Sequence, residues 1–159
     1  MRTPLVLLGA ALIVGVTGCG SSSGPGRHDP PAAPAAAADQ GPVQVEIAQS
    51  SLGPILTDQN GRTLYAFVND KDGTSSCTGS CIATWPALIS RTPVDTGTGA
   101  DKALLSQTTR AEGTAQATYG NWPLYYYAGD VGPADVDGQG VDGTWFVVGA
   151  DGKLIKAGA

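Results

Sequence analysis

Two tyrosine–aspartate pairs at one spacing are the residues best placed to do chemistry in this chain: Tyr65 with Asp70, and Tyr125 with Asp130. A phenol donates one hydrogen bond and a carboxylate accepts several, so Tyr-x4-Asp could line a ligand site between two halves of a fold. The same residue types also serve structure. An Asp just past a strand accepts backbone N–H groups from the turn that follows, while a Tyr ring fills a core and its hydroxyl finds a partner. Both aspartates run into turn-forming chain, Asp70-Lys-Asp-Gly73 and Asp130-Val-Gly132-Pro133, so capping is the expected role.

Cys77-Thr-Gly-Ser-Cys81 is the second candidate. In extended chain two such Cα atoms would sit about 13 Å apart, against the roughly 4.4–6.8 Å of a disulfide. A turn at Thr78–Ser80, or one helical turn, brings them into range. Cys-x3-Cys is not the Cys-x-x-Cys of a redox motif, Ile82 stands where a haem site needs His, and residues 43–159 contain no His to complete a zinc site. A structural disulfide is expected, and a redox role for Cys77 and Cys81 is the alternative.

Other patterns carry less. Asp70-x-Asp72-Gly73 and Asp135-x-Asp137-Gly138 resemble half of a calcium loop but lack the further oxygen ligands and the closing Glu. Solvated turn acids are expected there, with an irregular cation site in the Asp130–Asp142 loop as the alternative. Gly138-Gln-Gly140-Val-Asp-Gly143 has dinucleotide-loop spacing but precedes a strand where that motif must open a helix. Asp95-Thr96-Gly97 supplies one carboxylate where acid-protease chemistry needs two. The lone His28 rules out His-based acid–base work in the folded part, including a Ser-His-Asp triad. No catalytic residue, cofactor or metal site is therefore expected, and the chain is not read as an enzyme.

What must position these residues is a duplicated unit. Sliding the sequence by 60 residues superposes Gly53 on Gly113, Leu64 on Leu124, Tyr65 on Tyr125, Asp70 on Asp130, Thr84 on Thr144 and Trp85 on Trp145. Chance would match about one position in sixteen at average residue usage, or roughly two over this window. Two divergent copies are the economical reading, at about 53–89 and 113–149.

Within them, Val43–Ile47 alternates like a half-buried strand, and Pro54–Thr57 can start another. Asn60-Gly61 signals a hairpin turn into a return strand over Arg62–Val68. That strand puts Tyr65 and Phe67 on one face, Leu64, Ala66 and Val68 on the other, so it should be interior and covered on both sides. Residues 94–102 read as a loop. Strands at 103–109 and 114–119 flank a turn at Arg110–Gly113, and Pro123–Ala128 is the second central strand. Thr144–Val148 and Lys153–Ile155 form a last hairpin. The fold class is all-β, two internal repeats of short antiparallel strands, with room for one short helix near Cys77–Trp85. Trp85 and Trp145 should each pack near their own repeat's strand.

The first 18 residues are a different kind of segment. Met1-Arg2 is followed by the apolar run Pro4–Val16, too short for the roughly 20 residues that span a bilayer, so it reads as a signal peptide. It ends in Val16-Thr17-Gly18-Cys19, which resembles the bacterial lipobox. That resemblance implies a diacylglyceryl group on Cys19 and cleavage before it. One acyl chain holds a membrane marginally and two hold it stably. Of three cysteines, this leaves Cys77 and Cys81 to pair. Residues 19–42 are a Ser/Gly then Pro/Ala tether containing His28, and 43–159 the folded domain. With a formal charge of −5, nucleic acid is not an expected partner.

The stretches GPILTDQNGRTLYAFVND, CTGSCIATWPAL, PLYYYAGD and DGQGVDGTWFVV together resemble the secreted-repeat bacterial lipoprotein family, tandem repeats marked by Tyr-x4-Asp. The resemblance implies an exported, membrane-attached β-domain on the extracytoplasmic face and brings no assigned reaction. The functional expectation is a non-catalytic binding or envelope-interaction module held to the membrane through Cys19. A small redox or metal-handling protein is the alternative.

Overall fold

The computed structural model describes residues 42–157. The segment read as a signal peptide, Cys19, His28 and nearly all of the stretch read as a tether lie outside them. Among the described residues the fold is all-β with one short helix. Strand β1 (Gln44–Ser50) pairs antiparallel with β2 (Gly53–Asp58), with Ile47 opposite Leu56. The chain then turns at 58–62. The Asp58 carboxylate accepts the N–H groups of Asn60 and Arg62 at 2.8 and 3.0 Å, and Gly61 takes φ +79°. Asn60 is not left-handed, so the Asn-Gly pair makes a turn ending in a glycine bulge instead of a two-residue hairpin. The return strand contains β3 (Tyr65–Phe67).

The second copy repeats this plan. Strands β5 (Leu105–Thr109) and β6 (Ala115–Tyr119) form a hairpin, and β6 pairs with β7 (Trp122–Pro123). Here the two-residue hairpin does occur: Gly120 and Asn121 have φ of 59° and 68° between the paired Tyr119 and Trp122. Helix α1 (Ser80–Thr84) follows the first motif, and β8 (Trp145–Val147) the second. Within residues 94–102, read as loop, Asp95–Thr96 forms β4, parallel to β1; Gly97 N–H bonds the Val45 carbonyl at 2.8 Å and anchors it.

Each copy hands its last strand to the other. Strand β8 pairs with β3, Phe146 facing Ala66, and Ile55 of β2 bridges to Gly149. In the reciprocal place, Ala87 bridges to Tyr125 and Ile89 to Gln116 of β6. The backbone bonds match in both directions: Leu56 N–H to Val148 O and Val148 N–H to Leu64 O, Ala117 N–H to Leu88 O and Leu88 N–H to Leu124 O. Tyr65 and Tyr125 meet where the copies join, each N–H donating to the other's carbonyl at 2.8 and 2.9 Å. Contacts in which i touches j and j touches i are the signature of a two-fold relation. The stretch 123–128, expected as a strand, is regular only at its first residue because it bridges two neighbours at once, yet the amides of Leu124, Tyr125, Tyr126 and Ala128 are all bonded.

Both motif strands are interior, with a core on each side as their alternation requires. One core gathers Leu56, Leu64, Ala66, Leu88, Leu124 and Val148; the other gathers Ile55, Tyr65, Trp85, Tyr125, Trp145 and Val147.

Candidate functional site

The four motif side chains pair across the copies. Tyr65 Oη donates to Asp130 Oδ2 at 2.8 Å, and Tyr125 Oη donates to Asp70 Oδ2 at 2.5 Å. Each carboxylate turns its other oxygen to its own loop. Asp70 Oδ1 accepts the Ser76 N–H at 2.8 Å and its hydroxyl at 2.6 Å; Asp130 Oδ1 accepts the Asp137 N–H at 3.1 Å. One group therefore closes a turn and ties the two copies together. The loop-capping half follows the turn chemistry, and the pairing with the opposite copy is what the sequence spacing did not reveal.

Both tyrosines are fully buried. Burial first, and the neighbouring carboxylate second, push the Tyr125 phenol from 10.0 up to about 12 and Tyr65 further still. Burial also raises the half-exposed Asp130 carboxyl above its usual range. Gly138 makes the Tyr65 side possible: its N–H donates to Tyr65 Oη at 3.2 Å, and a Cβ there would lie 2.9 Å from both Trp85 and the Tyr65 ring.

The Trp residues cap the arrangement. Trp85 meets Tyr65 edge-on at 5.4 Å and Trp145 meets Tyr125 at 5.2 Å, each with its own repeat's tyrosine. The two indoles stack on one another at 3.9 Å with planes 3° apart.

Cys77 and Cys81 form a disulfide with Cα atoms 5.4 Å apart, closed by the turn leading into α1. Cys77 is buried, and its carbonyl accepts Arg110 Nη2 at 2.8 Å. Arg110 is the residue that sequence reasoning missed. Only 5% exposed, its guanidinium also donates to Ser75 Oγ, Gln116 Oε1 and Glu112 Oε1, and Ser75 Oγ in turn contacts Tyr125 Oη at 2.7 Å. An Arg at the start of a hairpin turn carries no signal that distinguishes it from a solvated one.

The remaining candidates are dispersed. Asp135 Oδ2 closes its loop on the N–H groups of Val131 and Gly132, Asp137 and Asp142 are exposed, and Asp95 pairs with Lys102 at the surface. Among the described residues no three His, Cys, Asp or Glu side chains are grouped to hold a metal ion. Gly138–Gly143 ends in a single 3-10 turn that leads into β8. On the surface, Val68, Gly120, Trp122, Gly152, Lys153, Leu154 and Lys156 line an open cleft of about 530 Å³.

Fold and site together define an internally duplicated β-domain whose two copies are locked by exchanged strands and reciprocal Tyr–Asp bonds. The chain belongs to the family described as a secreted repeat of unknown function, whose model matches residues 46–89 and 106–149, so each matched copy includes most of its first strand. That membership is consistent with an extracytoplasmic location. Searches of curated proteins and of solved structures returned no match.

Proposed function

We propose that this protein is a lipid-anchored, extracytoplasmic, non-catalytic binding module that meets an envelope component through the cleft beside Trp122. The cleft is the observation that carries the reading. It sets a half-buried indole beside the exposed Lys153 and Lys156 in a chain of formal charge −5, while the motif's polar groups are spent inside the fold. A flat ring flanked by ammonium groups suits an acidic, ring-bearing ligand such as an anionic saccharide fragment of the envelope.

The test is a thermal-shift titration with acidic and neutral wall saccharides. Binding at one hundred times Kd stabilises by about 2.7 kcal/mol, and Lys153→Ala with Lys156→Ala should abolish the shift. Equal shifts for neutral and acidic fragments would defeat the reading. The anchor is tested separately: Cys19→Ser should release the protein from membranes, and retention after a carbonate wash would disprove it. The alternative of a redox or metal-handling role through Cys77, Cys81 and the Asp-rich loop predicts a readily cycled disulfide; thiol titration in air distinguishes the two.

A further inference from the structure

The rings of the second core form one continuous column. Phe67 stacks on Trp145 with centroids 4.4 Å apart, Trp145 on Trp85 at 3.9 Å, and Trp85 leans on Tyr127 at 4.5 Å. Tyr65 and Tyr125 meet the column edge-on. The two indoles are buried, whereas the end rings Phe67 and Tyr127 are half-exposed.

Indole and phenol are the side-chain rings that most readily lose an electron, and rings in van der Waals contact pass electrons efficiently. What limits a tyrosine is its proton. A phenol that has lost an electron is a strong acid, and it needs a base already bonded to its oxygen. Asp130 and Asp70 stand in that place.

We propose that the Trp85–Trp145 stack and its Tyr–Asp pairs form a one-electron donor site: an oxidising equivalent from a high-potential one-electron oxidant enters at Tyr127, spreads over the stacked indoles and comes to rest on Tyr65, whose phenolic proton passes to Asp130. The oxidant gains one electron and the indole pair becomes a radical cation. Tyr65 then refills the indole, its Oη–H bond breaks, and the proton moves to Asp130 Oδ2. A neutral tyrosyl radical and a neutral carboxylic acid result, and a one-electron reductant of the thiol or enediol class, with return of the proton, restores the start. This activity goes beyond ligand binding and draws on groups the cleft does not use.

Tyr65 is favoured over Tyr125 by its surroundings. Tyr65 Oη faces Asp130, the Gly138 N–H and the Asp135 carbonyl. Tyr125 Oη touches Ser75, which accepts from Arg110 Nη1 at 2.6 Å, so a guanidinium charge lies one hydroxyl away and opposes a hole there. Burial also raises the Asp130 carboxyl, which helps it hold the proton that Tyr65 gives up.

Photogenerated ruthenium(III) tris-bipyridine serves as the oxidant, with radicals read by electron paramagnetic resonance and transient absorption. The protein should give a neutral tyrosyl radical that forms more slowly in D₂O. Tyr65→Phe should cut its yield several-fold and Tyr125→Phe far less, while Asp130→Asn should leave the hole on the indoles. Only variants with native near-UV circular dichroism are compared, and the isotope measurement needs no variant. An unchanged tyrosyl yield in Tyr65→Phe, or formation indifferent to D₂O in the unaltered protein, would overturn the proposal.

Discussion

Asp70 accepts three hydrogen bonds with two oxygens, and this makes it costlier to lose than a turn cap alone. Turn capping by itself would be worth roughly 1 kcal/mol. Truncation to Ala also takes the carboxylate acceptor from the buried Tyr125 hydroxyl and leaves it Ser75 Oγ alone, and weakening the pairing of a buried donor adds to the cost, within the roughly 1–3 kcal/mol of a wholly unmet one. Asp70→Ala should therefore destabilise by about 3 kcal/mol in urea denaturation, and Tyr125→Phe in the same background should cost little more, a coupling that a double-mutant cycle reads directly. The raised phenols set a pH dependence of definite sign. Below 10.0 both folded and unfolded chains hold the Tyr125 proton; between 10.0 and about 12 only the folded chain does. Stability is thus fully present below 10.0 and falls as pH rises through that window. Tyr125→Phe should make the fall shallower, as measured by denaturation midpoints across the range; an identical slope would mean this phenol is not held in its neutral form.

At the scale of elements, the stacked indoles matter more than the disulfide. Trp85→Ala empties the centre of the second core and should cost about 3–5 kcal/mol, the range for a buried Trp, with loss of the near-UV circular dichroism of the indole pair. Reducing Cys77–Cys81 opens a loop of only a few residues, worth about 2 kcal/mol in the chain-entropy account, and should leave that spectrum in place. Much of this level was legible in the sequence because its causes are local. Apolar residues at both parities of Leu64–Val68 announced a strand covered twice, and the short Cys spacing announced a turn before α1. The destination of the final strands was not legible. Tyr65 bonds an Asp 65 residues away while another lies five residues along its own chain, and periodicity reports which face is buried but not by whom. The two-residue hairpin at Gly120–Asn121 was overlooked for a different reason: the residue order reverses the more familiar Asn-Gly.

Across the folded domain, neither copy can complete its own sheet. Cutting the chain between the exposed Arg91 and Thr92 should give two pieces that do not fold as monomers, and that regain the native near-UV spectrum when mixed. A lone piece that folds as a stable monomer would contradict the exchange of strands. The exchange also changes what duplication means for this chain. In structural terms the domain is equivalent to a two-fold pair of like units, and the linker between the copies converts a meeting of two molecules into an event within one, independent of concentration. It also binds their futures together. A lost hydroxyl at Tyr65 is felt at Asp130, not at the Asp70 beside it in sequence, so each copy carries the partner's half of the Tyr–Asp locks and a change in one is registered in the other.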